Sequence, residues 1–314
     1  MKQDILYFGR FPEPTVEELH RRFTVHNWLL QPKPEDIDPA LRAHVRAAAV
    51  EVNRGANRAL IESLPKLEII ACFGAGVDLV DLKAARERGI PVTNTPAVFD
   101  DECADLAIGL MLASCRQIVY ADNYVRSGQW KAKGPISLGR SVTGKTLGVV
   151  GLGAIGRAIA DRAVAMKMRV LYNGPRRKPD APYEFVPDLV ELARQSDILM
   201  VAALGAPETR HLISAAVIDA LGPKGTLVNI SRGFVVDEAA MIKALQDGRL
   251  GWAALDVFDS PPGEPNPALL ALPNVIVQPH HGSATIETRS RIGSHMIANL
   301  DAWLAGKPLV SPVG

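Results

Sequence analysis

The segment of residues 144–174 constrains the fold more than any other part of this chain. It reads GKTLGVVGLGAIGRAIADRAVAMKMRVLYNG, with an apolar run, a glycine turn, a helical pattern and a second apolar run in that order. The first glycine permits a tight bend, the second lets backbone amides approach a pyrophosphate, and the third lets helix and strand pack closely. The alternative is an ordinary strand-to-helix turn, which the position directly after an apolar run disfavours. The predicted cofactor-binding residues of the turn are Gly151, Gly153, Ala154, Ile155 and Gly156.

The rest of the chain repeats this alternation of strand and helix. After the turn, the apolar runs DILMVAAL, TLVNIS, WAALDVF and NVIVQPH alternate with helical patterns, and residues 1–99 alternate in the same way. Apolar strands separated by helices predict doubly wound parallel sheets. We therefore predict an α/β fold of two Rossmann-like domains, each with a doubly wound parallel sheet, and a cleft between them.

The domain boundaries follow from the ends of these patterns. Residues 101–128 carry apolar side chains at spacings of three and four, which predicts one helix that could join the domains. Residues 284–304 predict a long amphipathic helix that packs back onto the first domain. The expected division is a flavodoxin-like domain of residues 1–99 plus 285–314 and a dinucleotide-binding Rossmann domain of residues 100–284.

The composition favours a small-molecule partner. With 35 basic and 34 acidic side chains, the chain has no excess positive charge to attract nucleic acid or an anionic membrane. The N-terminal residues lack the apolar core of a secretory signal, and no apolar run approaches the ~20 residues that span a bilayer. Cys72, Cys103 and Cys115 lie in apolar surroundings, as is typical of a reducing cytoplasm, and the scattered histidines predict no metal site.

The residues after the second strand of the β-α-β unit indicate which dinucleotide binds. Sites for NAD usually carry an acidic residue ~20 residues beyond the glycine turn, where it accepts hydrogen bonds from the ribose. Here Asn173 holds that place, and Arg176, Arg177 and Lys178 follow. A neutral amide followed by arginines accommodates a 2′-phosphate, so we predict that NADP(H) is preferred and NAD(H) is possible. The alternative is a solvated basic loop.

Several motifs taken together resemble one family. FGAGVDLVDL, PVTNTPAV, GLGAIG, APETRHLI, NISRGFVVDEAAMIKALQDGRLGWAALDVF and NVIVQPHHGSAT are similar to segments of the D-isomer-specific 2-hydroxyacid dehydrogenases. The glyoxylate/hydroxypyruvate and hydroxyphenylpyruvate reductases are the branch most resembled. The resemblance implies reduction of small 2-oxo acids to D-2-hydroxy acids, with residues 1–99 plus 285–314 as the substrate domain.

The resemblance also implies two catalytic residues. Arg232 matches the arginine that grips the substrate carboxylate and polarises the 2-oxo group, a task suited to a forked guanidinium. His280 matches the proton donor, and a histidine with a reference pKa of ~6.5 can hold and release a proton near neutral pH. His281 is expected to have a structural role.

Further site residues follow from the same resemblance, each with plain core packing as the alternative. Backbone amides at Ala75 and Gly76 are expected to bind the substrate carboxylate. Asp256 is expected to meet the nicotinamide amide. The small or apolar residues expected to line the cofactor are Cys103, Ala203, Leu204, Ile230 and Gly282.

One position departs from the family pattern. Most members carry a glutamate five residues after the aspartate of LDVF, where it raises the pKa of the catalytic histidine. Here that position is Pro261. Glu264, which also precedes a proline, and Asp259 are the available substitutes, and we favour Glu264.

The resemblance implies a homodimer formed through the cofactor domain, with residues 105–117 contributing.

Two alternatives remain for the function. One is a dinucleotide-binding regulatory protein of the same fold, resembling the corepressors related to these dehydrogenases. The other is a Rossmann methyltransferase, which explains neither NISRG nor PHHGSAT.

Overall fold

A computed structural model describes residues 2–261 and 263–313. Contacts divide the chain into two compact units. One unit runs up to Phe99 and resumes at Ala284, and the other is Asp100–Ser283. Each contains one sheet in which every strand pair is parallel, which confirms the predicted α/β fold class.

The first unit holds a five-stranded sheet in the order β2-β1-β3-β4-β5. This is the flavodoxin-like order, with the strand sequence reversing direction between β1 and β3. Its elements are β1 (Gln3–Phe8), α1 (Glu13–Arg22), β2 (Phe23–Trp28), α2 (Pro39–His44), β3 (Ala47–Glu51), α3 (Arg58–Ser63), β4 (Ile69–Phe73), α4 (Leu82–Glu87), β5 (Val92–Thr93) and, from the C-terminal segment, the helix Ile286–Leu304.

The core of this unit lies on both faces of the sheet. Successive side chains of β3 point to opposite faces of the sheet: Ala48 and Val50 pack into one hydrophobic cluster, and Ala47 and Ala49 pack into the other. The first cluster is closed by α2, α3 and α4, and the second by α1 and the helix Ile286–Leu304. This C-terminal helix matches the predicted amphipathic segment, and it buries Met296 and Leu300 completely.

The second unit holds a seven-stranded sheet, and its helices cover both faces. Its elements are α5 (Asp100–Cys115), α6 (Ile118–Arg126), α7 (Gln129–Lys133), β6 (Thr146–Val150), α8 (Ala154–Ala165), β7 (Arg169–Asn173), β8 (Glu184–Phe185), α9 (Leu189–Arg194), β9 (Ile198–Val201), α10 (Ala215–Leu221), β10 (Thr226–Asn229), α11 (Glu238–Gln246), β11 (Trp252–Leu255), α12 (Pro267–Leu270) and β12 (Val275–Val277). With the C-terminal helix numbered α13, the strand order is β12-β11-β10-β9-β6-β7-β8. The strand order reverses at β6, as in dinucleotide-binding sheets.

Polar residues at strand-to-helix connections start many of these helices. The side chains that accept hydrogen bonds from first-turn amides are those of Asp38, Asn57, Asp81, Asp188, Asp237, Asn266 and Thr285. Each such cap contributes about 1 kcal/mol. Because the strands of each sheet run parallel, the loops that follow them lie together at the carboxyl edge of that sheet.

The prediction of one helix over residues 101–128 is wrong. The segment forms α5 and α6, which are bent by 60° about a break at Arg116 and Gln117. Gln117 has a φ of 55°, which an α-helix does not accommodate. Helix α5 buries Leu110 and Met111 in the core, whereas α6 leaves much of its apolar surface exposed.

Among the helices that the structure describes, no single one is long and apolar enough to cross a membrane. Helices α5 and α6 meet the length and composition test only when taken together as the bent pair. Helix α5 packs against α8 and the sheet of its own unit, as a core helix does.

Candidate active site

The glycine turn follows β6 and opens α8. Gly151 has a φ of 93°, and a Cβ there would lie 2.7 Å from the Cα of Ala203. A Cβ at Gly156 would lie 2.1 Å from the carbonyl oxygen of Gly151, so this residue permits close contact between helix and strand. A Cβ at Gly153 would meet no described atom within 4 Å. The turn is thus tight at its first and third glycines and open at the second, where an anion can approach the first amides of α8.

Asn173 ends β7 and is buried. Its Nδ2 donates to the carbonyl oxygens of Val186 and Pro187 at 2.9 and 3.0 Å, so the amide ties the end of β7 to the following connection. Arg176 and Arg177 follow on the exposed loop, and their side chains form no ion pair within the described residues. Both guanidinium groups are therefore available to an anion without breaking an internal pair.

The loop after β10 carries Arg232. Asn229 is almost completely buried, and its Oδ1 accepts hydrogen bonds from the backbone N–H and hydroxyl of Ser231 at 3.0 and 2.8 Å. Its Nδ2 donates to the Arg232 carbonyl at 3.0 Å. Asn229 therefore fixes the backbone that presents the arginine, a role that the sequence analysis did not assign. The signal for it was a polar residue at the end of an apolar strand.

Space for the Arg232 side chain depends on nearby glycines. A Cβ at Gly205 would lie 2.5 Å from Cγ of Arg232, and a Cβ at Gly233 would lie 1.8 Å from the backbone of Phe258. The half-buried guanidinium donates through Nη1 to the Ser231 carbonyl at 2.9 Å. The loops after β9, β10 and β11 thus meet around this arginine.

The turn after β12 carries His280 and His281, and both side chains are exposed. His280 has a φ of 57°, and its N–H donates to the Asp256 carbonyl at 2.9 Å. The Asp256 carboxylate accepts from the N–H of His281 at 2.6 Å and from the N–H of Gly282 at 2.9 Å. Asp256 therefore holds three successive residues of the histidine turn.

Asp256 is only 2% exposed, and its carboxyl group differs from an ordinary surface acid. Burial raises its pKa above the usual 3.8, while the two backbone hydrogen bonds lower it and offset part of that shift. A Cβ at Gly282 would lie 3.2 Å from both Oδ2 of Asp256 and Sγ of Cys103. Three of the residues expected at the cofactor are thus brought together, and burial raises the pKa of the Cys103 thiol to about 12.

The two candidate acids near Pro261 have different surroundings. Asp259 pairs with Arg210 at 3.3 Å and lies 3.8 Å from Nε2 of His211. Glu264 is exposed, and its N–H donates to the Pro261 carbonyl at 3.0 Å. Asp259 is therefore occupied by two basic side chains of the connection between β9 and α10, and the role of Glu264 stays a prediction.

The remaining residues expected at the cofactor lie at the ends of two central strands. Ala203 and Leu204 follow β9, and the side chain of Leu204 is 81% exposed. Ile230 follows β10 and packs at the margin of one core cluster. The glycine turn, these strand ends and the histidine turn all lie at the carboxyl edge of the same parallel sheet. Ligands of open α/β sheets bind at this edge.

The predicted substrate loop belongs to the first unit and follows β4. Gly74 has a φ of 132°, and a Cβ there would lie 2.8 Å from the Val52 side chain. The Gly74 carbonyl accepts from the Thr95 N–H at 2.9 Å, and the Ala75 carbonyl accepts from Nδ2 of Asn94 at 2.7 Å. Two residues after β5 therefore hold the loop.

Within the described residues, no group of three or more His, Cys, Asp or Glu side chains is placed to hold a metal ion.

The sheet order and the glycine turn define a dinucleotide-binding α/β enzyme, and comparisons with known proteins agree. Residues 108–282 match the model of the D-isomer specific 2-hydroxyacid dehydrogenase NAD-binding domain. The chain is 46% identical over 297 residues to the hydroxyphenylpyruvate reductase of Plectranthus scutellarioides, which covers 95% of this chain and 94% of that protein.

Solved structures extend the similarity to the whole chain. A 2-hydroxyacid dehydrogenase from Ketogulonicigenium vulgare Y25 is similar with a TM-score of 0.92 and 46% identity, covering 100% of this chain and 99% of that one. An NADPH-dependent glyoxylate/hydroxypyruvate reductase from Sinorhizobium meliloti, in complex with NADP and malonate, has a TM-score of 0.94 and 37% identity, with 100% and 97% covered. The chain belongs to the D-isomer-specific 2-hydroxyacid dehydrogenase family, which confirms the family predicted from its motifs, and it is an NAD(P)-dependent oxidoreductase.

Proposed function

We propose that this enzyme reduces small 2-oxo acids, such as glyoxylate and hydroxypyruvate, to D-2-hydroxy acids and that it prefers NADPH to NADH. One observation carries the proposal. The glycine turn, the Arg232 loop and the His280 turn follow β6, β10 and β12, which end at one edge of the same parallel sheet. A cofactor bound at the glycine turn therefore lies at the same edge of the sheet as Arg232 and His280, which can act on its substrate.

The roles of the side chains follow from the charge changes in the reaction. The reduced nicotinamide supplies a hydride to the carbonyl carbon when the cofactor is bound. Arg232 binds the carboxylate and the 2-oxo oxygen through forked hydrogen bonds and stabilises the negative charge that grows on that oxygen. Protonated His280 donates the proton that the oxygen must gain, and the neutral imidazole recovers it from solvent. Backbone amides at Ala75 and Gly76 bind the carboxylate.

The preference for NADPH rests on Arg176 and Arg177, which are exposed and form no ion pair in the described part of the chain. A hydrogen bond between charged groups contributes about 1.5–3 kcal/mol, so each contact changes affinity ten-fold or more. The double variant Arg176→Ala with Arg177→Ala should weaken NADPH much more than NADH in fluorescence titrations. Arg21→Ala, an exposed arginine of α1, is the control for loss of positive charge. Equal losses for the two cofactors would show that these arginines do not read the phosphate.

A homodimer through the cofactor-binding unit is also proposed, and exposed apolar side chains on and after α6 support it. Those most exposed are Ile118, Val125, Trp130 and Leu138, with exposed fractions of 53%, 54%, 61% and 93%. Water contact with such a surface is unfavourable, so a second copy can cover it. Light scattering should give about twice the 33.8 kDa of one chain, and Leu138→Asp should lower that mass. A single-chain mass for the unaltered protein would refute the proposal.

A cytoplasmic location is proposed from the three buried cysteines, which are free thiols.

The direct test of function is turnover of glyoxylate, hydroxypyruvate and hydroxyphenylpyruvate with NADPH and with NADH. The D configuration of the product can be read by chiral chromatography. Tight NADPH binding without turnover of any 2-oxo acid would instead favour the regulatory alternative.

A further inference from the structure

The C-terminal tail of the chain is built into the first unit beside the substrate loop. Pro312 forms an antiparallel bridge with Thr93, and the Val313 N–H donates to the Val92 carbonyl at 2.8 Å. The tail thus covers the edge strand β5. The Ser311 carbonyl also accepts a hydrogen bond from the Asn94 N–H at 3.3 Å, so the tail reaches the residue that follows β5.

A completely buried amide holds this tail. Oδ1 of Asn299 accepts from the N–H groups of Val310 and Ser311 at 3.0 and 3.1 Å. Its Nδ2 donates to the His295 carbonyl at 3.2 Å and to the Ser311 hydroxyl at 3.0 Å. All four hydrogen-bonding positions of the amide are occupied. The Asn299 side chain therefore ties the tail to α13 through three of its four hydrogen bonds.

The Ser311 hydroxyl connects Asn299 of α13 to the Asn94 backbone. A hydroxyl has one proton and two lone pairs. Its proton must go to the Asn94 carbonyl, 2.6 Å away, because this neighbour can only accept. The lone pairs then accept from Nδ2 of Asn299 and from Nε2–H of His295 at 2.8 Å. The Asn94 backbone is thus held through both its N–H and its carbonyl by one residue of the tail.

The Asn94 side chain in turn determines how the substrate loop presents its amides. Its Nδ2 donates to the Ala75 carbonyl at 2.7 Å. The peptide bond between Ala75 and Gly76 is trans, so the Gly76 N–H points opposite to that carbonyl. The hydrogen bond from Asn94 therefore directs the Gly76 N–H away from itself. In the part of the chain that the structure describes, this N–H donates to no acceptor.

We propose that Asn94 is a positioning residue for substrate binding and that the C-terminal tail, through Ser311, holds it in place. Asn94 orients the peptide plane of Ala75 and Gly76 so that the Gly76 N–H is preorganised to bind the substrate carboxylate. This inference rests on the proposed function, in which that N–H binds a 2-oxo acid. Without the bond, the peptide can rotate, and substrate binding must first reorder it.

The test compares Asn94→Ala and Ser311→Ala with the unaltered enzyme, using hydroxypyruvate and NADPH. Substrate and transition state use the same amide, so KM should rise about ten-fold in Asn94→Ala while kcat changes less than two-fold. Ser311→Ala should raise KM about three-fold, and Ser311→Thr, which keeps the hydroxyl, should restore it. The Kd for NADPH should be unchanged in all three. Asn94→Asp keeps the volume but replaces the donor with an acceptor, and it serves if the alanine variant does not fold.

Two matched controls separate positioning from stability. Asn57→Ala removes an asparagine that caps α3, and Ser63→Ala removes a hydroxyl bonded to a backbone carbonyl in the same helix. Both lie in the same unit and should lower Tm without raising KM. An unchanged KM in Asn94→Ala and Asn94→Asp overturns the inference alone, as does an equal rise in the controls. Absence of 2-oxo acid turnover in the unaltered enzyme overturns the proposed function and this inference with it.

Discussion

Replacement of Asp256 by asparagine tests how the catalytic turn is held. The carboxylate accepts hydrogen bonds from His281 and Gly282 at 2.6 and 2.9 Å in a position only 2% exposed to solvent. Asparagine offers one oxygen and one NH2 group, so one of the two N–H groups loses its acceptor. Such a bond to a charged group contributes about 1.5–3 kcal/mol. If this loss is expressed in the proton-transfer step, kcat falls about ten-fold or more.

The effect on stability should be smaller than the effect on turnover. Burial raises the pKa of Asp256, which means that its ionised form is disfavoured in the folded protein, so the neutral amide relieves part of that cost. Because the folded pKa lies above the ordinary 3.8, stability from this group is fully present below 3.8 and is lost as pH rises through the raised pKa. The gap in unfolding free energy between wild type and Asp256→Asn should therefore narrow as pH rises from acid toward neutral.

The assay measures kcat at saturating hydroxypyruvate and NADPH, the Kd for NADPH by fluorescence, and unfolding by denaturant across pH. Asp237→Asn is the matched control, because its carboxylate caps α11 and bonds to Ala240. A lower kcat with an unchanged Kd supports the turn-holding role. Weaker NADPH binding with unchanged kcat would indicate instead that the expected contact with the nicotinamide amide dominates. Unchanged values for both would refute the reasoning.

Three further predictions concern the reacting groups. Arg232→Ala should lower kcat/KM about 100-fold or more and raise KM, as measured by steady-state kinetics, because carboxylate binding and carbonyl polarisation are both lost. His280→Ala should lower kcat about 100-fold or more at saturating substrate, whereas His281→Ala should change it little; the reverse pattern would show that His281 is the donor. Glu264→Gln should move the falling limb of the pH profile of kcat about one unit lower, and Asp259→Asn should leave it in place, because a nearby carboxylate keeps imidazolium charged to higher pH. A shift confined to Asp259→Asn would overturn the choice of Glu264.

The features predicted correctly from sequence depend on short-range patterns. Apolar runs separated by helical periods predicted both parallel sheets, because strand and helix place side chains at different periods along the chain. The glycine turn was readable because two of its requirements are local: Gly151 adopts a φ of 93°, and Gly156 closely approaches Gly151 within the same strand–turn–helix segment. The family motifs added Arg232 and His280, whose catalytic roles remain proposals.

The sequence by itself thus determined the fold class, the glycine turn and the family, since each depends on residues near one another in the chain or on motifs read together. Only the tertiary structure decided what holds the site residues in place. Asn94 meets Ser311 across 217 positions, and Asp256 reaches the His281 N–H across 25. The bend at Gln117 was likewise invisible, because the apolar spacing continues through it while packing of α5 in the core ends there. Hydrogen bonds between distant segments leave no periodic signal in a single sequence, so their partners are settled only when the sheets bring the loops together.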